Sequence, residues 1–189
     1  SVAQRVIEYA EHEKIGRCVV VGHSLGGYVA LAMQQLKPDL FAGMVLFHST
    51  VFADTDEKKT NRNKTIDFIK KFGVAPFADT FVPNLFYQKD HPAIPAVHAI
   101  ALQTPVSTLI AYSQAMRDRP ARDHLNRVDV LILAGQYDAI VNLSVSQQMA
   151  ALSDRAHLKV LECSGHMGMY EDRLESLKAV RDFSFGLLV

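Results

Sequence analysis

The sequence predicts an α/β fold: a mostly parallel sheet with flanking helices, interrupted by a helical insertion. Three observations carry that reading. Apolar runs such as Cys18-Val19-Val20-Val21 and Val130-Leu131-Ile132-Leu133 alternate with helix-periodic stretches near both ends of the chain. That is the pattern of parallel strands covered on both faces. Between about residues 54 and 120 no buried-strand run occurs, and Pro76, Pro83, Pro92, Pro95 and Pro105 all fall there. Finally, the first strand runs directly into Gly22-His23-Ser24-Leu25-Gly26 and then a helix-forming stretch.

In chain order, residues 2–13 place Val2, Val6, Ile7 and Ala10 on one helical stripe, with Gly16 expected to end the helix. Arg17 to Val21 reads as a buried strand, Ser24 to Lys37 as a helix stopped before Pro38, and Met44 to Phe47 as a second strand. The charged pattern from Glu57 to Phe72 and the proline-broken segments after it read as several helices. Strand–helix alternation then resumes. Val128 to Ala134 is a strand, Ser144 to Leu152 a helix, His157 to Leu161 a strand and Tyr170 to Phe185 a closing helix. The resulting division is a core part over 1–50, a helical lid over 51–120 and a second core part over 121–189.

The turn after the first strand has the form of a nucleophile elbow, in which glycines permit a tight turn that exposes a serine. A serine hydroxyl needs a base to take its proton and a carboxylate to orient that base. In such sheets these groups gather beyond the carboxyl ends of strands. Asp138 follows one strand through Gly135-Gln136-Tyr137, and His166 follows the last strand in Cys163-Ser164-Gly165-His166. The expectation is therefore a catalytic Ser24–His166–Asp138 triad, with Ser24 as nucleophile, His166 as base and Asp138 orienting it, working through an acyl-enzyme. His48, Phe81, Phe86 and Met167 are expected to line a substrate pocket. His23 is read as packing beside the elbow, and Glu171 as a helix first-turn acid.

Composition narrows the field. The chain has 189 residues, 49% apolar and 21% charged, enough for one domain with a real core. Twenty basic and twenty acidic residues cancel, so neither nucleic acid nor a membrane surface is an expected partner. Cys18 and Cys163 suggest no disulfide scaffold, and with no signal peptide in view a cytoplasmic location is expected. His91 and His98 lack a carboxylate or cysteine at ligand spacing and are not read as a zinc site, and a serine triad requires no metal or organic cofactor, so none is expected.

Three segments resemble the α/β-hydrolase superfamily, in its lid-bearing branch of esterases, lactonases and carbon–carbon bond hydrolases. They are Val20-Val21-Gly22-His23-Ser24-Leu25-Gly26-Gly27, Leu133-Ala134-Gly135-Gln136-Tyr137-Asp138 and Gly165-His166-Met167-Gly168-Met169-Tyr170-Glu171. The resemblance implies the α/β-hydrolase fold, a small ester or lactone as substrate, and an oxyanion hole using the Leu25 N–H. At Val141-Asn142 relatives often have Val-Pro, and Asn142 is expected to cap the next helix. The resemblance also implies strands ahead of Cys18, so the chain is expected to be N-terminally truncated. Its first strand would then be an open edge able to self-associate. Alternatives on the same scaffold are carbon–carbon bond hydrolysis, perhydrolysis, an inactive fragment, and a non-catalytic ligand-binding or scaffold role.

Overall fold

Four parallel strands form one sheet in the order β1-β2-β3-β4: β1 Cys18–His23, β2 Phe41–Phe47, β3 Asp129–Gly135 and β4 Ala156–Leu161. The computed structural model describes residues 1–188. The chain separates into two compact units, Ser1–Val51 with Arg122–Val189, and Phe52–Ala121.

In the first unit, both faces of β2 and β3 are buried. Val45, Phe47, Leu131 and Leu133 join Leu161 in one cluster, covered by Val180 and Phe183 of α9 (Arg173–Leu188). The alternate residues Met44, Leu46, Val130 and Ile132 face the other way and are equally buried. Cover there comes from α2 (Leu25–Leu36), packed on β1 and β2, and α7 (Leu143–Ala150), packed on β3 and β4. Each such aliphatic side chain contributes about 1.5–3 kcal/mol on burial, which is why β2 is buried at all seven positions.

Several boundaries differ from the sequence reading for identifiable reasons. Helix α1 (Val2–His12) buries Ala3, Ile7 and Ala10, while Val2 and Val6 stay 42% and 40% exposed. It packs on α2 through those three buried residues' side of the helix. The chain leaves α1 through Lys14 at φ 55°, not through Gly16. The expected closing helix is two helices, α8 (Gly168–Glu171) and α9, separated at Asp172 with φ −136°. Asn142 does stand at the cap position of α7, but its side chain makes no capping hydrogen bond.

The second unit contains α3 (Asp56–Phe72), α4 (Val74–Leu85), α5 (Ile94–Leu102) and α6 (Val106–Asp118), with α3 packed on α6 and α4 on α5. Pro83 lies in the last turn of α4, and Pro95 in the first turn of α5 where its missing N–H costs nothing. The buried Asp54 carboxylate takes hydrogen bonds from Arg62 and, at 2.8 Å, from Arg119. Arg119 also donates to the Phe52 carbonyl at 2.9 Å, tying the start of the unit to its end. Burial works to raise the Asp54 carboxyl, but the two guanidiniums outweigh it and hold it below the usual carboxylate value.

Candidate functional site

Four loops at the carboxyl ends of β1 to β4 supply the site. After β1 the chain turns through Ser24 at φ 50°, ψ −116° and enters α2. That conformation is rare for a residue with a Cβ and is imposed by its neighbours. The Ser24 N–H donates to the Phe47 carbonyl at 2.9 Å, and the Ser49 hydroxyl donates to the Ser24 carbonyl at 2.8 Å. A Cβ on Gly22 would lie 2.5 Å from the Gly26 carbonyl oxygen, and one on Gly27 would strike the Ser49 side chain. Leu25 opens α2, so its N–H has no partner within the helix.

Asp138 sits at the centre of the polar groups. Its Oδ1 accepts from the backbone N–H groups of Ile140 (2.8 Å) and Val141 (2.9 Å). Its Oδ2 lies 2.8 Å from His166 Nδ1 and 3.0 Å from His48 Nδ1. The Gly168 N–H points at His48 Nε2 and the Gly135 N–H at His48 Nδ1, each at 3.2 Å, so backbone donors hold the ring from both sides. Burial pushes the His48 imidazole below its ordinary value, so this ring is neutral. Burial alone would raise the Asp138 carboxyl, but the hydrogen bonds from His166 and His48 overcome it and hold it far below the usual range.

His23 Nε2 donates to the His166 carbonyl at 2.9 Å, fixing the backbone of that loop. Its ring is lowered to about 4, first by burial and then by the neighbouring His166 and His48 imidazoles, against the bond to the His166 carbonyl. Glu171 Oε2 accepts the Gly165 N–H at 2.8 Å and clamps the same loop from the other side.

The structure corrects the sequence expectation here. The group closed around Asp138 is His48–Asp138–His166, with ligand atoms all within 4.8 Å, and not a serine triad. Among the described residues the Ser24 hydroxyl makes no hydrogen bond to His166, nor does it cap α2. Asp138 therefore divides its acceptor oxygen between two imidazoles instead of orienting one base for Ser24. This arrangement does not support the expected ester hydrolysis through an acyl-enzyme.

His48, expected as a pocket wall, is 1% exposed and bonded at both ring nitrogens. Met167 is buried at the start of α8. Phe81 and Phe86 belong to the second unit. Phe86 is buried against His91, and Phe81 is partly exposed and stacked on Phe77. The sequence reading missed that His48 reaches Asp138 and that Glu171 holds the His166 loop. The signal for the first was position, because His48 ends the strand that pairs directly with the one leading to Asp138.

The His48, Asp138 and His166 atoms are also close enough to ligate a metal ion. Coordination would have to break both Nδ1 bonds to Asp138, whose other oxygen already holds two backbone N–H groups. The donor set fits a hydrogen-bonded carboxylate better than a metal centre.

A family model described as the alpha/beta hydrolase family matches residues 1–179. The protein named "Putative carbamate hydrolase RutD" from Pseudomonas savastanoi pv. phaseolicola is 25% identical over 193 residues, covering 96% of this chain and 73% of its own length. Among solved structures, a thermophilic esterase from Thermogutta terrifontis, malate bound, superposes with a TM-score of 0.91 at 26% identity. The match spans 99% of this chain and 72% of the other. The enol-lactonase from Burkholderia xenovorans LB400 shares the fold, with a TM-score of 0.83 at 20% identity over 96% of this chain and 70% of that one. No single helix among the described residues is long and apolar enough to cross a membrane.

Proposed function

The chain belongs to the alpha/beta hydrolase family, and within that family we propose that it binds a small carbonyl compound without hydrolysing it. One observation carries the reading: Asp138 Oδ2 serves His48 and His166 together, at 3.0 and 2.8 Å. A carboxylate shared in this way braces a polar cradle, its charge stabilised by hydrogen bonds with the two imidazoles and from the Ile140 and Val141 N–H groups. The Ser24 hydroxyl, not engaged by His166, is then available as a ligand hydrogen-bond donor beside the Leu25 N–H at the start of α2. The ligand class follows from relatives named for a carbamate and an ester, both small carbonyl compounds.

The test pairs turnover with binding. Hydrolysis of p-nitrophenyl acetate should match that of Ser24→Ala. Ethyl carbamate should perturb the backbone amide resonances of residues 22–26, with affinity reduced several-fold in Ser24→Ala. Turnover well above the Ser24→Ala rate would overturn the reading, as would no response to ethyl carbamate.

A further inference from the structure

We propose a second ligand site, for a small organic monocarboxylate, at the opposite end of the sheet from Asp138. A cleft of about 410 Å³ opens there, lined by Arg17, Gln34, Asp39 and Arg127 with Pro38, Phe41 and Val128. Its place in the fold is well defined. Arg17 immediately precedes β1, Phe41 opens β2, and Arg127 and Val128 lead into β3. The cleft thus lies at the amino-terminal ends of three adjacent parallel strands. Strands of six or seven residues separate it by roughly 20 Å from the loops at their carboxyl ends.

Three observations give the cleft its chemistry. Gln34 is only 3% exposed, yet its Nε2 has no hydrogen-bond partner among the described residues. A buried amide donor left unpaired is costly, and native structures seldom keep one without a use. Arg17 is held in place by its Nε bond to the Phe41 carbonyl at 3.3 Å, and its remaining guanidinium donors make no ion pair among the described residues. Arg127 likewise has no carboxylate partner among them, although Asp39 lines the same cleft.

Two arginines against one aspartate leave one positive charge, which matches a monoanion. Guanidinium forks suit the planar, bidentate geometry of a carboxylate. The unpaired Gln34 amide, buried in the cleft wall, becomes a further donor once its side chain turns toward the ligand, and the Pro38, Phe41 and Val128 walls accept an apolar body.

Calorimetric titration of the full chain with sodium benzoate tests this, with inorganic phosphate run alongside. Saturable benzoate binding is expected, weakened about tenfold or more in Arg127→Gln by loss of a charge-assisted contact. Gln34→Leu should also weaken it while circular dichroism stays that of the parent. Absence of saturable binding would overturn the site. Benzoate affinity unchanged in both variants would overturn its location, and phosphate binding as tightly as benzoate would overturn its preference for a carboxylate.

Discussion

Replacing His23 by Gln should flatten the acid limb of the stability profile. His23 is mostly buried, and its imidazole is lowered to about 4 from an ordinary value near 6.5. Between those values the unfolded chain binds a proton that the folded chain refuses, so stability falls as pH drops. The loss begins at about pH 6.5 and ends at about pH 4, at about 1.4 kcal/mol per pH unit, or about 3 kcal/mol in all. Gln removes the titration but keeps an N–H donor for the His166 carbonyl, which His23 now bonds at 2.9 Å. Urea unfolding followed by circular dichroism at several pH values measures the slope for each protein. His48 is lowered as well, so a residual slope of the same sign remains in the variant. Equal slopes in His23→Gln and the parent would refute the assignment of His23 as a buried neutral ring.

Two further outcomes follow from packing and charge. Gly135→Ala should destabilise by about 1–3 kcal/mol or more, because its Cβ would meet the Gly165 and Ser164 carbonyl oxygens, which are backbone and cannot swing aside. Gly26→Ala, with nothing within 4 Å of the new Cβ, should leave the melting temperature far less affected. Asp54→Asn should cost about 3 kcal/mol, since it strands Arg119 and Arg62 beside a buried neutral group. Faster hydrogen exchange in residues 52–62 and 112–121 would register that loosening.

The fold class was legible because its signals are local. Continuous apolar runs such as Val130 to Leu133 require cover on both faces, and the glycines around Ser24 can be read without knowing any neighbour. The structure adds the exact extents, such as β2 beginning at Phe41 because the 3-10 turn Pro38–Leu40 delivers the chain straight into the sheet. The candidate site depended on what strand order brings together. His48 and Asp138 are 90 residues apart and meet only because β2 lies beside β3. No local pattern distinguishes a histidine that lines a pocket from one that shares a carboxylate. Glu171 was similarly opaque, because an acid near a helix start reads the same whether it serves the dipole or holds the Gly165 N–H. Gln34 gave no signal at all. Its importance lies in a partner it lacks, and only packed coordinates reveal that.

The central claim is that Asp138, shared between His48 and His166, leaves Ser24 an unactivated hydroxyl. Incubation with a fluorophosphonate probe, followed by intact mass measurement, tests it most directly. The account predicts that the mass of the protein does not change. Stoichiometric addition of the probe at Ser24, abolished by Ser24→Ala and by His166→Ala, would contradict it.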